Sequence, residues 1–227
     1  MPRTKRFSLD ELEKTEKTYI GTKVEIVFRD TFKLAKGQKL DLLIEGQEVD
    51  VKNTIGTNWT IPSEAVDEIC ILLKTDDSKS SFCIGLIICR ERVLNKGKNR
   101  DGKRTISKAG KNEILWIVKD GRLPKNFFLH MNDVLRDAIL SPKAGAARLA
   151  NLFRAFQNEV ISRRLVECVA SQKDYMKRVR GNGGARDILA LEGLIILWGG
   201  NLADAEKLKS LGFNEITAEH FVCIKKS

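Results

Sequence analysis

The chain has 227 residues, 42% of them hydrophobic, and a net charge of +10. This suits one large or two small packed domains and a polyanionic partner. No apolar run approaches a membrane span, and no apolar stretch follows the basic start Met1–Arg6 as a secretory signal would require. Five cysteines without Cys-x-x-Cys spacing, and only two histidines, exclude a disulfide framework, a zinc site and hydrolysis built on a histidine base. The cysteines read as small buried hydrophobes in a reducing, cytoplasmic setting.

In chain order, Ser8-Leu9-Asp10-Glu11 has the form of a capping box and predicts a helix to about Tyr19. Thr22-Lys23-Val24-Glu25 repeats that form, and Ile20, Val24, Val27, Phe28 and Thr31 follow at helical spacing. Leu40, Leu42, Leu43 and Ile44, then Glu45-Gly46-Gln47, then an alternating segment, predict a tight hairpin. A polar loop from Asn53 to Thr60 carries Trp59, read as a packing anchor, and Pro62 suits a helical first turn. Glu68 to Lys74 and Phe82 to Cys89 read as buried strands around the Asp76-Asp77-Ser78 turn, with a further strand at Ile114 to Val118.

From Asn132 helical patterns dominate: Val134 to Leu140, Ala146 to Val160, Arg163 to Ala170 and Ala185 to Leu191. A strand-like run, Leu194 to Trp198, follows. The change predicts a boundary between Arg122 and Met131, with domains at 1–125 and 131–227. Short helices followed by strands suggest a winged helix-turn-helix with Ala185 to Glu192 offered to a DNA groove; a helical accessory or dimerisation domain is the plainer alternative.

The charge is concentrated. Arg90 to Lys111 holds nine Lys/Arg against Glu91 and Asp101, and Ser162 to Arg186 holds seven against Glu167 and Asp174. Two compact basic patches point to a polyanion, most simply duplex DNA, rather than to a membrane. Arg100, Lys103 and Arg104, with Asn58 in the polar loop, are the candidates for reading bases. Lys173, Lys177, Arg178, Arg180 and Arg186 are the candidates for contacting a duplex through its phosphates.

Chemistry is sought in the hairpin. Side chains alternate along a strand, so Glu48, Asp50 and Lys52 face one way and Val49 and Val51 the other. Two carboxylates and an ammonium, with Asp41 at the far end of the hairpin, can hold a hard divalent cation and orient a water for phosphodiester hydrolysis. The same alternation also describes the wet face of an ordinary antiparallel strand. Glu48 is read as a solvated charge. The spacing around Glu25 favours a helix cap over a ligand.

These pieces resemble the NaeI-type restriction endonucleases, within the nuclease superfamily that has a Pro-Asp…(Asp/Glu)-x-Lys core. The matching stretches are Ile20-Gly21-Thr22-Lys23-Val24-Glu25, Asp41…Asp50-Val51-Lys52, Trp59-Thr60-Ile61-Pro62-Ser63-Glu64-Ala65, Arg100-Asp101-Gly102-Lys103-Arg104, Ser171 to Arg180, and Leu191-Glu192-Gly193. Leu40 stands where the superfamily has its proline. The resemblance implies an α/β (α+β) endonuclease core and a C-terminal, mostly helical winged-helix-like domain. It also implies a catalytic set carried over as Glu25, Asp41, Asp50 and Lys52, with Mg²⁺ on Asp41, Asp50 and Glu25. A homodimer, double-stranded DNA with two duplexes per dimer, one of them an effector, and a companion DNA methyltransferase in the host come with it. The function implied is that of a Mg²⁺-dependent type II site-specific deoxyribonuclease. Two alternatives are a repair or structure-specific nuclease on the same core and a non-catalytic winged-helix regulator.

Overall fold

A single helix, α1 (Lys14–Thr31), opens the first part of the fold, where the sequence predicts two. Its N-terminal capping box is Glu13 with Glu16, so Thr22–Glu25 lies in mid-helix and caps nothing. Ser8 instead closes a local turn by accepting from Glu11 N. The apparent break at Gly21-Thr22 is overridden because Val24 and Phe28 gain a packing surface on the sheet, which outweighs the ~1 kcal/mol helix penalty of one glycine.

The hairpin follows as β1 (Leu42–Ile44) and β2 (Gln47–Thr54), antiparallel with Ile44 opposite Gln47. Its two turn residues, Glu45 and Gly46, have φ of 48° and 80°. A two-residue turn that matches strand twist needs positive φ at both positions, which glycine supplies without strain. A crossover with β3 (Thr60–Ile61) and a 3₁₀ turn (Ser63–Ala65), which Pro62 precedes, leads to β4 (Ile69–Asp76), parallel to β2. Next come β5 (Ser81–Ile88), β6 (Arg104–Thr105), a short α2 (Lys108–Lys111) and β7 (Leu115–Arg122). The main sheet is mixed, in the order β1-β2-β4-β5-β7, and β3 pairs separately with β6.

Alternation along β2 and β4 divides two cores. Val49 and Val51 pack with Leu42, Ile71 and Leu73 under α1. Cys70 and Leu72 face the other way, with Leu40, Trp59, Ile61 and Ile87. Trp59 anchors that second core, its Nε1 donating to Leu73 O at 2.8 Å. Asp50 and Lys52 are in register with Cys70 and Leu72. Asp50 is therefore drawn into the interior, 3% exposed, and is the one buried charged residue among the described residues.

The computed structural model describes residues 6–172 and 174–226. It divides into two compact units, Ser8–Leu129 and a second that runs from His130 and takes in Phe7. The second unit carries α3 (Asp133–Leu140), α4 (Gly145–Ala155), β8 (Ile161–Ser162), α5 (Arg163–Ala170) and α6 (Tyr175–Val179). After these come α7 (Ala185–Ala190), β9 (Leu194–Trp198), α8 (Leu202–Ser210) and β10 (His220–Lys225). Asn132, Ser162, Asp174 and Asn201 cap α3, α5, α6 and α8 by accepting from a backbone N–H three residues on, as short polar side chains do.

The expected helix from Ala146 to Val160 ends at Ala155; Asn158 turns left-handed at φ 60° and the chain enters β8. β10 is central in an antiparallel sheet ordered β8-β10-β9. Leu149, Phe153, Ile161, Val166, Leu189, Ile196 and Phe221 fill the core of this unit. All five cysteines are free, but Cys168 is exposed, because its place on α5 turns it away from the buried Val166 and Val169. Among the described residues no helix is long and apolar enough to cross a membrane.

Candidate active site

Asp50 and Lys52 stand two residues apart on β2, and Lys52 Nζ donates to Asp50 Oδ1 at 2.8 Å. The hairpin returns Asp41 to the same place, where its Oδ2 accepts from Val51 N at 2.8 Å and lies 3.9 Å from Lys52 Nζ. The Val51 carbonyl also accepts from Lys52, at 3.3 Å. Beneath them, Cys70 Sγ is 3.9 Å from Asp50 Oδ2, and Cys89 Sγ is 3.1 Å from Cys70 Sγ.

The electrostatics of the group agree. Burial pushes Asp50 from 3.8 up to about 6 against the pull of Lys52, with Asp41 adding to the rise. Glu25 on α1 is also pushed up, first by burial and then by the charge of Asp41. Burial acts to lower Lys52, yet its hydrogen bond to Asp50 and the charges of Asp50, Asp41 and Glu25 raise it overall. Three carboxylates around one ammonium leave a net −2 when all are ionised; burial is the first cause of the rise at Asp50 and Glu25, and the neighbouring carboxylates add to it. Hard oxygens with that deficit suit a small divalent cation. Among the described residues no group of three or more His, Cys, Asp or Glu is drawn together tightly enough to hold a metal as it stands. Lys52 itself occupies the space between Asp41 and Asp50.

The position of Glu25 in mid-helix removes its competing role as a cap. Glu25→Gln is accordingly expected to melt within about 1 kcal/mol of the parent, the scale of a lost cap, and to lose cleavage by two or more orders of magnitude in a plasmid assay. A variant that cuts normally would return Glu25 to a structural role. Glu48, expected to be a solvated charge, is instead an anchor. It accepts from the backbone N–H groups of Gln38, Lys39 and Leu40 at 2.8–3.2 Å, and these bonds hold its carboxyl below the usual range. The loop that delivers Asp41 is fixed by Glu48.

The candidates for contacting DNA are arranged unevenly. Asn58 Nδ2 donates to Ile106 O at 2.8 Å and its Oδ1 accepts from Trp59 N at 2.9 Å, so both ends of this amide are engaged within the first unit. Arg104 forms a fork with Glu91 at 2.6 and 2.8 Å; Arg100 and Lys103 are exposed. In the second unit Lys177 and Arg180 are exposed, Arg178 donates to Gln172, and Arg186 donates to Asp204. Lys173 lies outside the described residues. Helix α7 has no basic outer face: Asp187 and Leu191 are exposed, and Glu192 just beyond it pairs with Arg154. Arg163, Tyr175 and Trp198, absent from the candidates, join Arg180 and Arg186 around one cavity. Only the cluster of arginines hints at it, since positions so far apart in sequence meet through packing.

A mixed sheet thus presents Asp41, Asp50 and Lys52 from one hairpin, and α1 carries Glu25, whose carboxyl feels the charge of all three. The sequence model of a family described as restriction endonuclease NaeI matches residues 1–226. The chain is also 38% identical over 203 residues to the type II restriction enzyme NaeI of Lentzea aerocolonigenes, covering 86% of this chain and 64% of that protein. This protein belongs to the NaeI restriction endonuclease family. It spans somewhat less than two thirds of the length of the relative it matches.

Proposed function

We propose that this protein is a Mg²⁺-dependent, site-specific endonuclease of type II that hydrolyses duplex DNA as a homodimer in the cytoplasm. The observation that carries the reading is the convergence of Asp41, Asp50 and Lys52 on one hairpin, with the charge deficit described above. The catalytic set is Glu25, Asp41, Asp50 and Lys52. The carboxylates of Asp41 and Asp50 and the Val51 carbonyl would hold Mg²⁺, with Glu25 completing the acidic set. Bound there, the ion would lower the pKa of a water and offset charge on the scissile phosphate.

The residues of the chain do the rest. Lys52 leaves the space between the two aspartates, donates a hydrogen bond to the attacking water and faces the charge that grows on the phosphate. Glu48 keeps the Asp41 loop in place. Val49 and Val51 lock the strand from behind, so that Asp50 cannot turn away.

In the second unit the succession α4, β8, α5, α6, α7, β9, β10 and the sheet order β8-β10-β9 support a winged-helix-like module, with α8 inserted where a short wing would stand. Exposed Arg100 and Lys103 support DNA contact in the first unit, and Lys177 and Arg180 support it in the second. We extend the reading to two duplexes per dimer, one of them an effector, and to a companion methyltransferase in the host.

Supercoiled plasmid incubated with the full chain and Mg²⁺ tests the proposal. Discrete fragments sharing one short end sequence are expected, and no cleavage with chelator. Preference for branched or damaged DNA would replace the reading with a repair nuclease. Tight binding without any cleavage would replace it with a regulator.

A further inference from the structure

Among the described residues, the large apolar side chains left exposed in the first unit all lie on one side of its sheet. Four belong to α1 or its C-terminal end: Tyr19, Ile26, Val27 and Phe32. The others are Ile88 on β5 and Leu115 and Ile117 on β7. Ile88 is in register with Ile69 and Leu115 with Leu86, and Ile69 and Leu86 pack into the core beneath α1. Ile117, two residues beyond Leu115, points the same way, while Trp116 between them packs into the core on the opposite side.

None of the 18 residues of α1 is buried. The helix that carries Glu25 is therefore held on one face only, where Val24 and Phe28 meet the sheet. Its outer face presents Tyr19, Lys23, Ile26, Val27 and Asp30 at helical spacing, all exposed. A lone protomer rarely leaves so extended an apolar side open. The charges identify what covers it. Lys23 and Asp30 stand equally far from the midpoint between Ile26 and Val27 and have opposite signs. Asp30 Oδ1 is 3.7 Å from Arg29 Nε, yet the aspartate side chain stays 68% exposed. Two copies of α1 packed antiparallel about that midpoint place Ile26 opposite Val27, and Lys23 of each opposite Asp30 of the other. That is the self-complementary pattern a two-fold contact requires. The apolar side chains form its dry centre and the charges its rim.

We propose that α1 pairs with α1 of a second copy of this chain, antiparallel about Ile26 and Val27, and that this pairing holds Glu25 at the candidate nuclease centre. A helix packed on one face opens locally more readily than a helix packed on two. Glu25 lies between Val24, which meets the sheet, and Ile26, which meets the partner. Covering Ile26 fixes the backbone that places Glu25 beside Asp41, so the site is incomplete in a lone protomer. The inference rests on the homodimeric reading above for its partner and on the nuclease reading for its consequence.

The test uses the full chain without DNA or divalent metal. Sedimentation velocity over a range of protein concentrations is expected to give a dimer for the parent. Ile26→Asp combined with Val27→Asp should raise the dissociation constant about a hundredfold and still melt as a folded chain, since both positions are exposed. Lys23→Asp sets like charges against each other twice and should weaken the dimer about tenfold. Adding Asp30→Lys to it should restore the parental constant, which a general charge effect would not do. Amide exchange along α1 should quicken in Lys23→Asp and recover in the charge-swapped chain. Plasmid cleavage, measured separately with Mg²⁺, should follow the same order. A monomeric parent, a dimer indifferent to Ile26→Asp with Val27→Asp, or a charge swap that rescues nothing would overturn the contact. Unchanged exchange along α1 in the monomeric variants would overturn the hold on Glu25. A parent that dimerises through this face and cuts no DNA would support the contact and remove the nuclease reading.

Discussion

Asp50→Ala is expected to abolish DNA cleavage, by at least three orders of magnitude in a plasmid assay, while specific DNA binding survives. The carboxylate is the buried member of the set, is bound to Lys52 at 2.8 Å, and has a pKa raised to about 6. Cleavage within tenfold of the parent would sink the proposed site. The same residue makes a prediction about stability. A carboxyl that holds its proton more tightly in the folded chain than in the unfolded one contributes stability that is complete below about pH 4. That contribution is lost as pH rises through 6. Without metal, Asp50→Asn should therefore stabilise the protein at pH 7.5 by up to about 3 kcal/mol, the pull of Lys52 being already included in the raised pKa, and by about half as much at pH 5. Added Mg²⁺ should raise the melting temperature of the parent and not that of Asp50→Asn, because only the parent can offer the charged ligand. Equal pH profiles for the two chains would mean that burial does not strain Asp50.

The second large effect is structural. Arg148 on α4 makes four hydrogen bonds to backbone carbonyls: Nε to Val169 at 2.7 Å, Nη2 to Ala170 at 2.5 Å, and Nη1 to Pro142 at 2.7 Å and to Lys143 at 2.9 Å. Two of these carbonyls close the C-terminus of α5, where the helix dipole is negative and the last carbonyls lack intrahelical partners. Arg148→Met keeps most of the aliphatic stem and removes the fork. It is expected to destabilise the second unit by about 3 kcal/mol, the scale of several charge-assisted bonds left unmade. A shift of the urea midpoint at unchanged slope would show this, and a loss below about 0.5 kcal/mol would mean that water replaces the fork.

Much of the site is legible in the amino-acid order alone. The i, i+2 spacing of Asp50 and Lys52 assigns them to one strand face, and Glu45-Gly46 between apolar runs marks the turn that returns Asp41 to them. Neither inference needs a distant part of the chain. Glu25 illustrates the opposite case. Local spacing makes it a cap, and it becomes part of the site only because α1 runs unbroken past Gly21 to lay Val24 and Phe28 on β2. Asn58 and Arg104 have the composition of DNA readers, but their partners, Ile106 and Glu91, lie far along the chain and no local pattern announces them.

Short-range physics governs which residues share a strand face, where the hairpin turns and where positive charge gathers, and these can be read along the chain. Packing between distant elements set the rest. It buried Asp50 against Cys70, turned Glu48 from a solvated charge into the anchor of the Asp41 loop, and assembled arginines from three helices around Tyr175. Burial, pairing and pKa depend on side chains brought together from distant positions, and a one-dimensional pattern does not contain those distances.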